Sequence, residues 1–303
     1  MKSFFQTDAW GNFKAAAGWR AERVDGLLKL SWSLPGGKVL DYYPELSWDN
    51  ETLVKVAALT KKPATKNTIF SRFEFLEIYA DGKEGQLQSL GLIKSFEEVQ
   101  PDYRQWVPIG KSEAEILAAM KPKGRYNIGV AERADLEVIH GGTNLTKDFY
   151  YLYQATSKRT KFRGRGLAYF EKLMALLTEQ KIGEILLIKK FDGTLAAGIF
   201  LYFDGVASYL YGGSTGDRSL MAPYLLHWEA IKTARARDCQ IYDLLAVAPP
   251  EDPNHPYAGL SRFKAQFGGQ TVRLLGSWDL VQNRFWYTIY RFIEQLRRRK
   301  SVQ

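Results

Sequence analysis

Between Phe263 and Phe267 the sequence places a lysine, Lys264, just ahead of a Gly268-Gly269 pair. Aromatic residues one position before and three after leave such a cation little freedom to wander. Upstream, Tyr209 and Tyr211 end an apolar run that turns through Gly212-Gly213-Ser214 toward a long helical pattern opening near Leu220. A glycine-rich turn feeding a helix start is a place where backbone N–H groups can meet an anion. A second cationic feature lies earlier: Ser157 to Gly166 carries Lys158, Arg159, Lys161, Arg163 and Arg165 and no acid. Phe162, Gly164 and Gly166 let the backbone approach an anion there, so the run reads equally as a phosphate-binding segment or as a solvated face. The chain from Tyr209 to Gly269 reads as a substrate-handling surface.

Other chemistries are excluded by what is missing. His140 lies in a glycine joint, His227 in mid-helix beside Trp228 and His255 in a loop between prolines, without metal-ligand spacing. No metal is expected, and His227 reads as a hydrogen-bonded core residue. The single cysteine, Cys239, excludes an internal disulfide and a Cys-based zinc site, and reads as a packing thiol. Neither a GxSxG elbow nor a GxxxxGK[ST] loop occurs, so hydrolase and kinase readings fail. Arg163 to Ala168 matches the R-x-x-G-x-G/A pyrophosphate loop of acetyl-CoA-dependent acetyltransferases. That loop follows a strand directly, whereas residues 148–160 read as helix. The context fails, and no cofactor is expected.

The elements that must position these residues form a repeated order. In the first half a helix (Asp8 to Ala17) precedes a strand from Trp19 and a turn at Asp25-Gly26. Strands at Leu27 to Trp32 and Lys38 to Tyr43, a helix near Asn50 to Leu59 and a strand from Thr68 to Phe75 follow. The second half has helices at Leu145 to Ser157 and Leu167 to Gln180, a strand at Glu184 to Lys190 and a turn at Asp192-Gly193. Strands at Thr194 to Phe203 and Val206 to Gly212, a helix from Leu220 to Arg237 and a strand from Ile241 to Val247 complete it. Such a repeat implies two homologous α/β domains, and the order fits the acetyltransferase superfamily. The expected division is 1–140, 141–283 and a C-terminal helix over 284–303, with His140-Gly-Gly-Thr143 as the flexible joint. Between the halves, a helix from Ser112 to Met120 stops before Pro122, and Lys123 to Asn127 breaks the pattern again.

A length of 303 residues supports this, being about two domains of ~150 residues. Hydrophobic residues at 46% and aromatics at 14% can fill two cores. A net charge of +9 favours an anionic partner such as RNA, a phosphorylated metabolite or an acidic membrane face. The start MKSFFQTDAW lacks a signal-peptide core, and no run of about 18 apolar residues occurs. The protein is expected in the cytoplasm, with at most peripheral contact at the inner face of the membrane. Residues Phe285 to Lys300 carry aromatics at helical spacing and five cations against one acid. They read as a helix packing its apolar stripe on the first domain, or as one meeting anionic lipid or an RNA backbone.

YLYGGS (209–214), MAPYLLHWEAI (221–231), YDL (242–244) and RFKAQFGG (262–269) resemble the FemABX family of non-ribosomal peptidyl transferases. The likeness runs through nearly the whole chain, more weakly before Lys111. It implies an aminoacyltransferase that moves an aminoacyl group from aminoacyl-tRNA to the stem peptide of a UDP-linked or lipid-linked peptidoglycan precursor. It also implies an α/β (α+β) fold of two tandem acetyltransferase-like domains, with mixed, mostly antiparallel sheets flanked by helices and no acetyl-CoA. Without a heptad run, the chain looks like the armless form. By the same resemblance Lys264 stabilises charge on the ester carbonyl, and Lys14 and Arg165 bind the precursor's phosphates. Glu74 occupies the place of an acidic residue considered as base, and Tyr209 and Tyr211 line the acceptor channel.

The implied reaction suits a site without a triad. An aminoacyl ester is already activated, so positioning can supply much of the barrier reduction, about 7–11 kcal/mol at best. A buried cation facing the oxyanion adds about 3–4 kcal/mol. Glu74, water or a substrate phosphate could take the proton of the acceptor amine. An acetyl-CoA-dependent N-acetyltransferase and a non-catalytic RNA- or envelope-binding protein are the competing readings.

Overall fold

The computed structural model describes residues 2–62, 65–191 and 193–301, with side chains through Arg297. The chain up to Asp102 holds helix α1 (Asp8–Ala15), strands β1 (Arg20–Val24), β2 (Leu27–Ser33) and β3 (Val39–Leu46), and helix α2 (Asn50–Lys61). Strand β4 (Thr68–Ile78), helix α3 (Lys83–Ser89) and the short strand β5 (Ile93–Lys94) follow. Side-chain caps start both longer helices: Thr7 Oγ1 accepts from Trp10 N–H (3.2 Å) and Asp49 Oδ1 from Thr52 N–H (2.8 Å). Asp25 and Gly26 both take positive φ, 51° and 82°, the backbone of a two-residue hairpin whose twist matches its strands. β1, β2 and β3 pair antiparallel in turn, and after the α2 crossover β4 lies parallel to β3.

From Tyr103 the order continues with β6 (Tyr103–Pro108), α4 (Glu113–Ala119), α5 (Pro122–Glu132), β7 (Glu137–Gly141), α6 (Thr146–Thr160) and α7 (Leu167–Glu179). Then come β8 (Gly183–Lys190), β9 (Gly193–Phe203), β10 (Val206–Ser214), α8 (Ala222–Ala236), β11 (Ile241–Ala246) and α9 (Ala258–Lys264). β7 to β10 pair antiparallel in turn, and after the α8 crossover β11 lies parallel to β10. The duplicated order therefore exists as two copies of one arrangement, three antiparallel strands, a helix and a parallel fourth strand, with β7 added ahead of the second copy. Of the expected Asp192-Gly193 turn, Asp192 lies outside the described residues. Residues 122–132 form a helix where the sequence pattern suggested a break, because Pro122 sits in its first turn, where no N–H is required. Gly124 belongs there too, since a Cβ would stand 2.3 Å from the carbonyl oxygen of Gln266.

The chain ends with β12 (Gln270–Val281) and helix α10 (Arg284–Ser301). Residues up to Asp102 together with those from Arg273 onward form one compact unit, and Tyr103–Val272 form a second. The division differs from the expected one at 140/141, and strand pairing gives the reason. β6 lies antiparallel to β11 (Tyr242↔Val107), so the chain enters the second unit at Tyr103. The far part of β12 lies antiparallel to β4 (Asp279↔Arg72), which returns the C-terminus to the first unit. His140-Gly141 is the end of a paired strand, with His140 opposite Leu186.

α10 packs on the first unit through Tyr287 and Tyr290 against Ile69, Phe70 and Phe96, as part of that unit and not as a separate element. Beneath it lies a buried ion network. Arg72 makes two hydrogen bonds to Asp279, 2.7 and 2.9 Å, and a third to Glu97. The Tyr287 hydroxyl donates to Asp279 (2.8 Å) and that of Tyr290 to Glu97 (3.2 Å). Removing one partner leaves an uncompensated charge at a position that is 0% exposed. Arg72→Met should therefore cost about 3–5 kcal/mol in urea unfolding, and Arg72→Met with Asp279→Leu should recover most of that loss.

Candidate functional site

The two units differ at their parallel strand pair. In the first, β3 and β4 pair from Val39↔Thr68 to Leu46↔Phe75, with irregularities after Val39 and after Tyr43. In the second, β10 and β11 share only Val206↔Ile241, Ala207↔Tyr242 and Ser208↔Asp243 before they part. Beyond Ser208, β10 follows β9 alone, while β11 follows β6 through an irregularity between Asp243 and Ala246. Backbone groups on both sides of the split are thereby released from the ladder.

Lys264 stands at this split. It is 4% exposed, and its Nζ donates to the carbonyl oxygen of Ala246 at 2.7 Å. That carbonyl ends β11 after Leu245, whose φ of 56° is unusual for a leucine. Asp243 holds the turn by accepting from Leu245 N–H (2.7 Å) and is itself paired with Arg104 (3.2 Å). Burial pulls the Lys264 ammonium down to about 8, against the opposing pull of Asp243. Its hydrogen bond goes to the backbone, not to the acidic residues of the Pro-rich loop, Glu251 and Asp252. The flanking rings of Phe263 and Phe267 stand edge to face, 5.4 Å apart. An ammonium that has lost most of its water and keeps two N–H groups beyond its backbone bond is suited to a developing oxyanion.

His227, on α8, links this lysine to Tyr209. Its ring lies 4.6 Å from that of Tyr209, 5.5 Å from Phe263 and 5.0 Å from Phe267. Burial, helped by the charge of Lys264, depresses the imidazole to about 3, so it is neutral. Nδ1 accepts from the Tyr242 hydroxyl at 2.6 Å, since burial holds that phenol protonated, and the ring proton is then on Nε2. The Tyr209 ring needs two glycines. A Cβ on Gly212 would stand 1.6 Å from its hydroxyl oxygen, and one on the cross-strand Gly198 would press on Phe200 and Tyr209.

Tyr209 and Tyr211 do not line one surface. Two residues of β10 oppose one step of β9 between the pairs Tyr209↔Phe200 and Tyr211↔Ile199, and this bulge reverses the side-chain alternation. Tyr211 therefore turns to the α6 and α7 side, where its hydroxyl lies 3.0 Å from that of Tyr169. There the structure brings Arg165 and Tyr211 together. The Arg165 guanidinium lies over the Tyr169 ring at 5.3 Å, and its backbone N–H donates to the Tyr153 hydroxyl (3.2 Å). Burial raises the pKa of Tyr211, and the charge of Arg165 opposes that rise. The Arg163 to Ala168 segment joins two helices, α6 and α7, so it lacks the strand that a pyrophosphate loop requires.

Lys14 and Glu74 belong to the first unit. Lys14 sits on α1 with its Nζ 4.5 Å from the Trp19 ring centre and 5.7 Å from that of Trp10. Glu74 is 2% exposed and accepts from the Tyr42 hydroxyl, from Gln100 N–H (2.9 Å) and from Ser277 (3.4 Å). Sequence reasoning missed Arg104, Asp243, Tyr153 and Tyr169. Asp243 had a signal, since it lies in the YDL stretch, whereas Arg104 gains its role only through the β6–β11 pairing. Among the described residues no group of three His, Cys, Asp or Glu could hold a metal, and no helix is long and apolar enough to cross a membrane.

Two units, each with a mixed, mostly antiparallel sheet flanked by helices, one of them opened at its parallel pair, define the class of the fold. Within that class the chain belongs to the FemAB family, whose family model matches residues 86–188 and 178–295. It is 23% identical to Lipid II:glycine glycyltransferase of Staphylococcus haemolyticus (strain JCSC1435), over 97% of this chain and 91% of that protein. The protein of the same name from Staphylococcus aureus (strain MRSA252) is 22% identical over the same shares. The crystal structure of FemX matches with a TM-score of 0.83 and 19% identity, covering 95% of this chain and 94% of that one, a likeness of fold.

Lys264 sets a stability test. Its folded pKa, about 8, lies below the ordinary value of 10.5, so folding penalises the charged form. The penalty is complete below pH 8 and is relieved as pH rises toward 10.5. Lys264→Met removes a penalty of roughly 3 kcal/mol and a hydrogen bond of about 1 kcal/mol. The variant should therefore be about 2 kcal/mol more stable at pH 7 and lack the wild-type rise above pH 8, as read by urea unfolding across pH.

Proposed function

We propose that the protein moves an aminoacyl group from aminoacyl-tRNA to an amine on the stem peptide of a peptidoglycan precursor, building an interpeptide bridge. The observation that carries this reading is the desolvated Lys264 at the split between β10 and β11. The family, and relatives named Lipid II:glycine glycyltransferase, support the acceptor class. The donor follows from chemistry: an aminoacyl ester carries its own activation, and the site offers electrostatics and positioning in place of a nucleophile.

In the proposed step the acceptor amine attacks the ester carbonyl, and the C–N bond forms as the carbonyl oxygen takes up negative charge beside Lys264. Collapse expels the ribose hydroxyl of the tRNA, so the amine loses one proton and the ribose oxygen gains one. Arg165 and Lys14 are the cations assigned to the precursor's phosphates, and Tyr211 borders Arg165. Glu74 is the poorest of the three proton acceptors, because its oxygens already accept from Tyr42, Gln100 and Ser277. Water or a substrate phosphate fits better.

Lys264→Met should lower kcat about 100-fold while leaving precursor and tRNA binding nearly intact. Near wild-type turnover, or lost binding in place of lost turnover, would sink the oxyanion role. Arg165→Ala should instead raise the acceptor's KM by roughly tenfold or more, and an unchanged KM would mark the basic run as a solvated face.

The reaction itself is tested by incubation with a pool of charged tRNAs and both precursor forms, read by mass spectrometry. An added aminoacyl mass on the stem peptide is the expected result. Binding of both without transfer would make the protein a non-catalytic binder, and micromolar affinity for acetyl-CoA in calorimetry would favour an acetyltransferase.

A further inference from the structure

Helix α10 has two unlike faces. Tyr287 and Tyr290 look into the first unit, and their hydroxyls are bonded to the buried carboxylate of Asp279 and the half-buried one of Glu97. Arg291 lies against the rings of Phe96 and Tyr287 on the same side. These bonds set the rotation of the helix about its axis. They oblige Phe285, Ile289, Phe292 and Leu296, at spacings of four, three and four, to form a stripe on the opposite face. Phe285 is 68% exposed, Phe292 62% and Leu296 42%, with Ile293 beside them also 42% exposed. Of the two readings the sequence offered for this helix, packing on the body is met through the tyrosines, and the apolar stripe is left facing outward.

We propose that this outward face of α10 is a docking surface for an anionic phospholipid bilayer. Besides Arg291 on the packed side, the helix carries Arg284, Arg297, Arg298, Arg299 and Lys300 against one acid, Glu294, which accepts from Arg297. Lys38 adds another at the start of the stripe, 5.3 Å from the Trp286 ring. Exposed phenyl and aliphatic groups gain by entering the acyl boundary, while the cations meet lipid phosphates, and the two contributions reinforce one another. The other occupants fit less well. Phosphodiester gives nothing to an aliphatic stripe, so tRNA would use the cations and leave Phe292 and Leu296 in water. A second copy would bring two helices of the same strong positive charge face to face. The proposal is independent of the catalytic reading, because partition onto vesicles is measured without turnover.

The test is flotation of the full chain with vesicles of phosphatidylcholine alone or mixed with phosphatidylglycerol. Wild type should float with the mixed vesicles and stay behind with phosphatidylcholine. Phe292→Ser with Leu296→Ser should weaken that partition roughly tenfold or more, the loss expected when large side chains no longer leave water. Circular dichroism and the urea midpoint should not change, because both residues are exposed. Arg297→Glu should weaken partition and make it less sensitive to salt. Three results would overturn the proposal: no flotation of wild type, flotation that the apolar variant leaves intact, or an apolar variant that loses only dimerisation or only tRNA affinity.

Discussion

The interaction on which the candidate site depends is one that stops. β10 and β11 share three residue pairs and then separate, and Lys264, the Ala246 carbonyl and Asp243 are arranged around that separation. A continued ladder would have tied up the backbone beyond Ser208 and left no place for Lys264 to reach the Ala246 carbonyl. The first unit shows the alternative, since the same strand pair there remains joined to its end. Two copies of one arrangement thus differ in the length of a parallel pairing.

The buried charges serve unlike ends. Arg72 with Asp279 and Glu97 is a fully bonded network, and the tyrosines of α10 complete it. Such a network specifies one orientation of a helix more than it adds to stability. Lys264 is the opposite case. It has a backbone carbonyl and a nearby carboxylate, yet burial still depresses its pKa, so the fold keeps a charge that it would be more stable without. Stability given up at one residue is common where a protein needs a charge held ready in a dry place.

The chain route also constrains folding. The first unit is discontinuous, because β4 finds its antiparallel partner in β12, some 200 residues later. The second unit is continuous, running from Tyr103 to Val272. Loop-closure cost therefore falls mainly on the first unit, which is complete only when the C-terminal strand and α10 arrive.

Much of this was legible in the residues. Periodicity and the Asp25-Gly26 turn gave the repeated order of elements, because hairpin turns and strand alternation are local properties. The aromatic neighbours of Lys264 announced its desolvation for the same reason. The sequence did not reveal the division of the chain, since it rests on β6 pairing with β11 and β12 with β4, and pairing between distant strands leaves no local trace. Nor did it reveal that Tyr209 and Tyr211 face opposite ways, because a bulge of one residue reverses alternation without altering composition. The joining of Arg104 to Asp243, and the choice of which face of α10 is buried, were likewise decided by tertiary structure alone. Sequence fixes what each segment can form with its neighbours along the chain; which distant partner meets which face is settled only when the sheets assemble.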